Sequence, residues 1–400
     1  MLSRRDFLKT STLISLAPTV PGFLAQTARA AAPQRDGRVL VVIQLDGGND
    51  GINTVVPIND EGYAKYRKTL RLAKERLVKA NDKVGLHSSL TEFGKLLEKG
   101  QLAVVQGVGY PNPNRSHFRS MAIWHSARLD AEEHTGLGWL GRALDDGPRI
   151  SDGSSASLLV GGGPPPPAIR GRRAVASALE RPEEFALDAG ADPRRAITKD
   201  EPADDLSAFV RRSMLDAYGT ADRLAQVSRA KDDGARYPGN ALGNRLQLVA
   251  RLLKAGLGTR VFYTLQGGYD THSAQIFTHS NLLFELNSAV KAFLDDMAAS
   301  KLADRVAVLM FSEFGRTVKE NGSAGTDHGT AGPVFLAGAP VKGGVVGATP
   351  NLMDLDPKHG DLRIGLDFRR IYAAILEDWL GLPAKTALGG TFERLPLFRT

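Results

Sequence analysis

The chain of 400 residues contains no cysteine. That excludes disulfides, thiolate metal sites and a cysteine nucleophile, and leaves His, Asp and Glu as the strong metal ligands, so any metal site is of hard or borderline character. Long apolar runs are missing as well: past the N-terminal leader, no stretch approaches the roughly eighteen apolar residues that a membrane span needs, and no stable span is expected. No Gly-x-Gly-x-x-Gly follows an apolar run and no haem motif is present, which makes a cofactor-loaded redox enzyme a poor fit. Nor does one sign of charge dominate. The formal charge is +7, and without residues 1–30, which carry four basic residues and one acidic residue, it is +4. So mild a balance demands no nucleic-acid partner.

What is present begins with the leader. Ser3-Arg4-Arg5-Asp6-Phe7-Leu8-Lys9 precedes a modestly apolar stretch from Leu13 to Ala25 that Pro18 and Pro21 interrupt, and Ala28-Arg29-Ala30 has the small-x-small form that a signal peptidase cuts. This pattern predicts a twin-arginine signal over residues 1–30 and a working protein that begins near Ala31. The translocase and signal peptidase are the expected partners, and the expected location is periplasmic or extracellular.

Beyond the leader, short apolar runs alternate with helical patterns in the order of an α/β domain with a mostly parallel sheet. The clearest are Val39 to Leu45, Leu102 to Val108, Arg260 to Leu265, Val306 to Phe311 and Pro333 to Ala337. Helical spacing runs from Ala274 to Met297 and from Phe368 to Trp379. The stretch from about 145 to 243 differs, with Gly161-Gly162-Gly163 followed by four prolines, a charged segment and a polar run near 204–230. It reads as an insertion or cap on one domain over 31–400.

Ligand sites in open α/β sheets lie outside the carboxyl ends of the strands, so the polar residues just after each run are the candidates. They are Asp46 in Asp46-Gly47-Gly48-Asn49-Asp50-Gly51, then Arg115-Ser116-His117, then Asp270-Thr271-His272, then Ser312-Glu313-Phe314-Gly315-Arg316. Asp327-His328 comes just before the fifth run. Asp46, Asp270, His272, Glu313 and His328 are the side-chain types that hold Zn²⁺ or Mn²⁺ more readily than Mg²⁺ or Ca²⁺. Taken singly, each has an ordinary alternative as a cap or turn residue.

The leader, Gln44 to Gly51, Gly268-Tyr269-Asp270-Thr271-His272 with His279, Ser312 to Thr317 and Gly325 to Gly329 together resemble domain-of-unknown-function family 1501 over nearly the whole mature length. That family in turn resembles a distant branch of the alkaline phosphatase and sulfatase superfamily. The resemblance implies an alkaline-phosphatase-like three-layer α/β/α sandwich. It also implies counterparts for the superfamily's site residues: Asp46, then Ser116 or Ser120 as nucleophile, then Asp270 with His272 or His279, then Glu313, then His328. Two departures stand out. Glu313-Phe314 replaces the usual Asp-His, and the signature that becomes formylglycine in sulfatases is absent.

The expectation is a metal-dependent hydrolase of phosphate or sulfate esters. One ion would be held by Asp270, His272 and His328 and another by Asp46 and Glu313, activating Ser116 or a water for attack on an anionic ester. Arg115, Arg119 or Arg316 would hold the non-bridging oxygens. The alternative is a non-catalytic exported binding or assembly protein on a degenerate hydrolase fold.

Overall fold

Apart from Gln44, apolar residues fill Val39–Leu45, and all seven positions are buried. Such a run belongs to a strand covered on both faces, as happens where helices flank a parallel sheet. The computed structural model describes residues 37–130, 133–148, 155–174, 176–180 and 234–399. The expected leader over 1–30 and the polar run at 204–230 lie outside these residues.

The strands are β1 (Val39–Leu45), β2 (Val55–Pro57), β3 (Val78–Lys79), β4 (Val84–Leu86), β5 (Leu102–Gly109), β6 (Ser157–Val160), β7 (Ala176–Leu179), β8 (Val261–Gln266), β9 (Val306–Phe311), β10 (Gly332–Ala337), β11 (Gly344–Val346) and β12 (Leu366–Asp367). The helices are α1 (Gly51–Thr54), α2 (Glu61–Tyr66), α3 (Thr91–Glu98), α4 (His117–Ser126), α5 (Trp139–Asp145), α6 (Ala241–Lys254), α7 (Gln275–Ala299), α8 (Phe368–Ala374) and α9 (Ala384–Leu388). A nine-stranded sheet has the order β11-β5-β10-β9-β1-β8-β6-β7, with β12 also paired to β5, and β2-β4-β3 form a small second sheet.

Alternation along β1 sends its side chains to two cores. Val39, Val41 and Ile43 pack with Phe93 of α3, Leu246 of α6 and Leu286 of α7. Leu40 and Val42 share the opposite core with Trp124 of α4, Trp139 of α5, Tyr372 of α8 and Leu388 of α9. The result is a three-layer α/β/α sandwich, the architecture that a sheet apolar on both faces requires.

Every pairing in the large sheet is parallel except those that β10 makes with β5 and β9. This reversal matters for the site. The residues that enter β10 stand at the same edge as the residues that leave β1, β5, β8 and β9.

The segment from about 145 to 243 contributes more to the sheet than its composition suggests. β6 and β7 lie within it and extend the sheet beyond β8, and α6 begins at its end. Four-residue strands carry too short an apolar run to stand out beside a Gly/Pro turn. At the other end of the chain, the pattern from Phe368 to Trp379 is α8 followed by a π turn over Ile375–Trp379. Trp379 donates from Nε1 to the Val39 carbonyl at 3.1 Å.

Asp50, from the loop after β1, is fully buried with Arg67. The guanidinium donates to both carboxylate oxygens, at 2.6 and 3.0 Å, and to the Thr317 and Val318 carbonyls. Gln275 at the start of α7 adds a bond to Asp50 at 2.5 Å. Burial alone would raise the Asp50 pKa, but the charge and hydrogen bonds of Arg67 overcome it and hold the carboxyl at about 2. Removing one partner of such a pair strands a buried charge, whereas removing both does not. Arg67→Met is therefore expected to lower unfolding free energy by about 3–5 kcal/mol in a denaturant titration, and Asp50→Leu/Arg67→Met by less. A single variant within about 1 kcal/mol of the parent would contradict this account of the pair.

Candidate functional site

Two glycines let the loop after β1 pass beneath the loop after β8. Gly47 and Gly48 have φ of +118° and +77°, and a Cβ on them would overlap the Asp270 backbone nitrogen and the Phe314 ring. The crossing is tied by Arg316, which is almost fully buried. Its guanidinium donates to the carbonyls of Gly47, Gly48, Tyr269 and Thr326 and, at 2.5 Å, to Asp270 Oδ1. With its donors so engaged, Arg316 is a fastener for three loops rather than the free anion clamp expected of it.

Around Asp270 stand three imidazoles. His272 Nε2 lies 3.0 Å from Asp270 Oδ1, His328 Nε2 3.2 Å and His117 Nε2 3.4 Å. Each ring has its other nitrogen committed. Nδ1 of His117 is 2.8 Å from Glu313 Oε1, Nδ1 of His272 is 3.0 Å from Asp327 Oδ1, and Nδ1 of His328 is 2.7 Å from the Arg115 carbonyl. All three acceptors take a proton from Nδ1, so a neutral ring here carries its lone pair on Nε2, that of His272 facing Arg316 Nη1 at 3.5 Å.

The Nε2 atoms of His272 and His328 are only 3.0 Å apart. His117 Nε2 is buried with no hydrogen-bond partner, its 3.4 Å approach to Asp270 lacking hydrogen-bond geometry. Lone pairs so placed repel one another unless a proton or a cation stands among them. A set of imidazoles, each fixed through its second nitrogen by a carboxylate or carbonyl and joined by one carboxylate, is the arrangement of a metal site. The donors thus fit a divalent ion, and His117, Asp270 and His328 have ligand atoms within 4.8 Å of one another.

Burial opposes ionisation of Asp270, but the hydrogen bond and charge of Arg316 hold its carboxyl at about 2. The hydrogen bond from His272 pulls Asp327 below the usual carboxylate range. His117 is raised by its hydrogen bond to Glu313. Burial, and then the charge of Glu313, push Asp46 above the ordinary aspartate value, while the Gln44 amide at 3.0 Å pulls the other way.

The remaining sequence candidates are placed as follows. Ser116 is exposed and immediately precedes α4, and its hydroxyl makes no capping bond. Ser120 is fully buried, donates to the Glu313 carbonyl at 2.6 Å and accepts from Tyr110 at 3.0 Å, so it has no hydroxyl to offer a substrate. Arg115 reaches away to Asp361 and the His359 carbonyl, at 2.8 and 2.7 Å, and Arg119 bonds the Leu129 carbonyl. His279 is not beside Asp270; it is buried against Asn49 and Thr54 at 2.9 and 3.3 Å. His272 is the histidine that joins Asp270 and His328.

Glu313 is almost fully buried; Oε1 accepts from the Gly47 N–H and from His117, and Oε2 lies 2.9 Å from the Ser312 hydroxyl, which also has the Leu45 carbonyl at 2.6 Å. In the sequence alone, His117 stands at the rim without a role. Its only signal there is position, as the first residue of the helix that rises from the sheet edge after β5.

The family model described as "Protein of unknown function (DUF1501)" matches residues 37–382. No curated protein matches the chain in sequence. Among solved structures, the chain is similar to the sulfatase PsFucS1 from Pseudoalteromonas sp., with 10% identity over 81% of this chain and 66% of that one at a TM-score of 0.36. It is also similar to a protein in the alkaline phosphatase superfamily from Vibrio parahaemolyticus, with 11% identity over 80% of this chain and 64% of that one at a TM-score of 0.36. A third is the phosphonate monoester hydrolase from Silicibacter pomeroyi, with 11% identity over 90% of this chain and 78% of that one at a TM-score of 0.32. The chain spans just under two thirds of the length of the first two.

Three further histidines act in stability. Burial holds His87, His125 and His279 each at about 4. Their folded values lie below the unfolded value of about 6.5, so the unfolded chain takes up more protons as pH falls. Stability is expected to be full above about pH 6.5 and to decline as pH drops towards about 4, with a shallower decline for His125→Gln. Denaturant midpoints measured across that range in chelator-treated protein check this, and a flat profile from 6.5 to 4.5 would refute it.

Proposed function

The chain belongs to the DUF1501 family, and on that premise we propose that it is an exported, metal-dependent hydrolase of phosphate or sulfate esters. The observation that carries this reading is the convergence of three Nε2 lone pairs on Asp270, each ring fixed through Nδ1. Imidazole and carboxylate donors without thiolate suit Zn²⁺ or Mn²⁺ better than Mg²⁺ or Ca²⁺. Asp270, His272, His328 and His117 would hold the ion, which when bound supplies Lewis acidity to the phosphoryl or sulfuryl oxygens of the ester.

The chain's own groups supply the rest. Ser116 offers an exposed hydroxyl at the N-terminal end of the ten-residue helix α4, where free N–H groups and the positive end of the helix dipole favour an anionic substrate. Attack by Ser116, or by a water in its place, forms a new oxygen bond to phosphorus or sulfur and breaks the bond to the ester oxygen. The attacking group loses a proton and the departing alcohol gains one. Arg115 contributes through its backbone, since its carbonyl keeps the proton of His328 on Nδ1 and leaves Nε2 bare. Export by the twin-arginine route, which carries folded proteins, suits a chain that takes up its metal before translocation.

One observation favours the second reading, a binding or assembly protein. Among the described residues, no carboxylate or imidazole hydrogen-bonds the Ser116 hydroxyl to draw off its proton. Metal analysis and an aryl phosphate and aryl sulfate screen on the purified protein separate the two. His328→Ala is expected to lose metal and at least about 100-fold in kcat/KM, because removing a ligand exceeds the 10–100-fold cost of removing a supporting group. A stable wild type with neither metal nor activity would instead establish the binding protein.

A further inference from the structure

A two-ion arrangement on this rim assigns the second ion to Asp46 and Glu313, but the contacts of Glu313 give it a different task. Oε1 accepts from the Gly47 N–H at 3.0 Å and from His117 Nδ1 at 2.8 Å. Oε2 lies 2.9 Å from the Ser312 hydroxyl. Only 1% of the residue is exposed. A carboxylate this deeply buried, with Oε1 committed to Gly47 and His117, faces its protein donors rather than the open rim.

Asp46 cannot make a site alone, because a bound transition ion takes several protein donors. One of its oxygens accepts from Gln44 Nε2 at 3.0 Å. That amide is kept from flipping, because its oxygen accepts from Tyr263 at 2.5 Å and from His125 at 3.0 Å. The position after Glu313 adds no ligand either. It is Phe314, whose buried ring lies 4.9 Å from the rings of both His117 and His328. Among the described residues, the cluster of potential ligands on this rim is His117, Asp270 and His328, and His272 Nε2 lies 3.0 Å from both Asp270 Oδ1 and His328 Nε2.

We infer that the site takes one divalent ion rather than two, with His117 joining Asp270, His272 and His328, and that Glu313 is a positioning residue holding His117 with Nε2 open. The inference rests on the metal-hydrolase reading and sharpens it. His117 is the ligand gained, and Glu313 stands one bond behind it, as carboxylates behind metal-bound imidazoles do.

The test uses the full chain stripped with a chelator, loaded with Zn²⁺ and freed of excess by gel filtration. Zinc per chain is counted by mass spectrometry, and affinity is measured by competition with a chromophoric chelator. One equivalent is expected for the wild type. Glu313→Gln should still bind one equivalent, about 10–100-fold more weakly. His117→Ala should weaken binding at least as much, and Glu313→Gln added to His117→Ala should cost nothing more. A merely structural role for Glu313 would show the same loss in both backgrounds, which overturns the positioning role. So would a Glu313→Gln protein of unchanged affinity. Two equivalents in the wild type, one of them lost in Glu313→Gln, overturn the one-ion inference and leave the hydrolase reading standing. No bound zinc at all overturns both.

Discussion

Lone pairs of two imidazole nitrogens 3.0 Å apart repel, and that constraint organises the rim of this sheet. The repulsion is built in, because the Nδ1 atoms of His117, His272 and His328 are held by Glu313, Asp327 and the Arg115 carbonyl. None of the rings can turn to relieve the others without giving up a hydrogen bond of its own. A shared proton or a cation between them relieves the repulsion, and Asp270 supplies the negative charge beside it.

Holding four side chains from three loops in that relation needs a rigid frame. Part of it is topological: β10 runs against its neighbours, so His328, which precedes a strand, meets Asp270 and His272, which follow one. The other part is Arg316. A guanidinium buried under the site and bonded to four carbonyls and to Asp270 fixes the loops after β1 and β8 and before β10 to one another. Behind it, the Asp50–Arg67 pair and Gln275 tie the same first loop to α7. The conspicuous charges of the Asp46 to Gly51 motif thus divide, one open to the site and one buried in its support.

The layers and the rim were legible in the sequence because continuous apolar runs mark strands covered on both faces, and such strands end at one edge. Short elements were not. β6 and β7 have four residues each and lie in a stretch that composition marks as an insertion. Roles within the rim were harder still, since residue type does not say which atom faces which partner. His272 and His279 are chemically alike, yet only His272 reaches the rim, whereas α7 carries His279 inward to Asn49. Glu313 reads as a ligand until its bonds from Gly47 and His117 are seen, and His117 reads as a neighbour of Ser116 until its unpartnered Nε2 is seen.

The central claim is that these imidazoles surround a metal. X-ray absorption at the zinc edge of the zinc-loaded protein tests it most directly, because imidazole ligands leave a multiple-scattering signature that carboxylates and water do not. A first shell containing three histidines and a carboxylate oxygen is the predicted result; an oxygen-only shell, or a single histidine, would contradict the account.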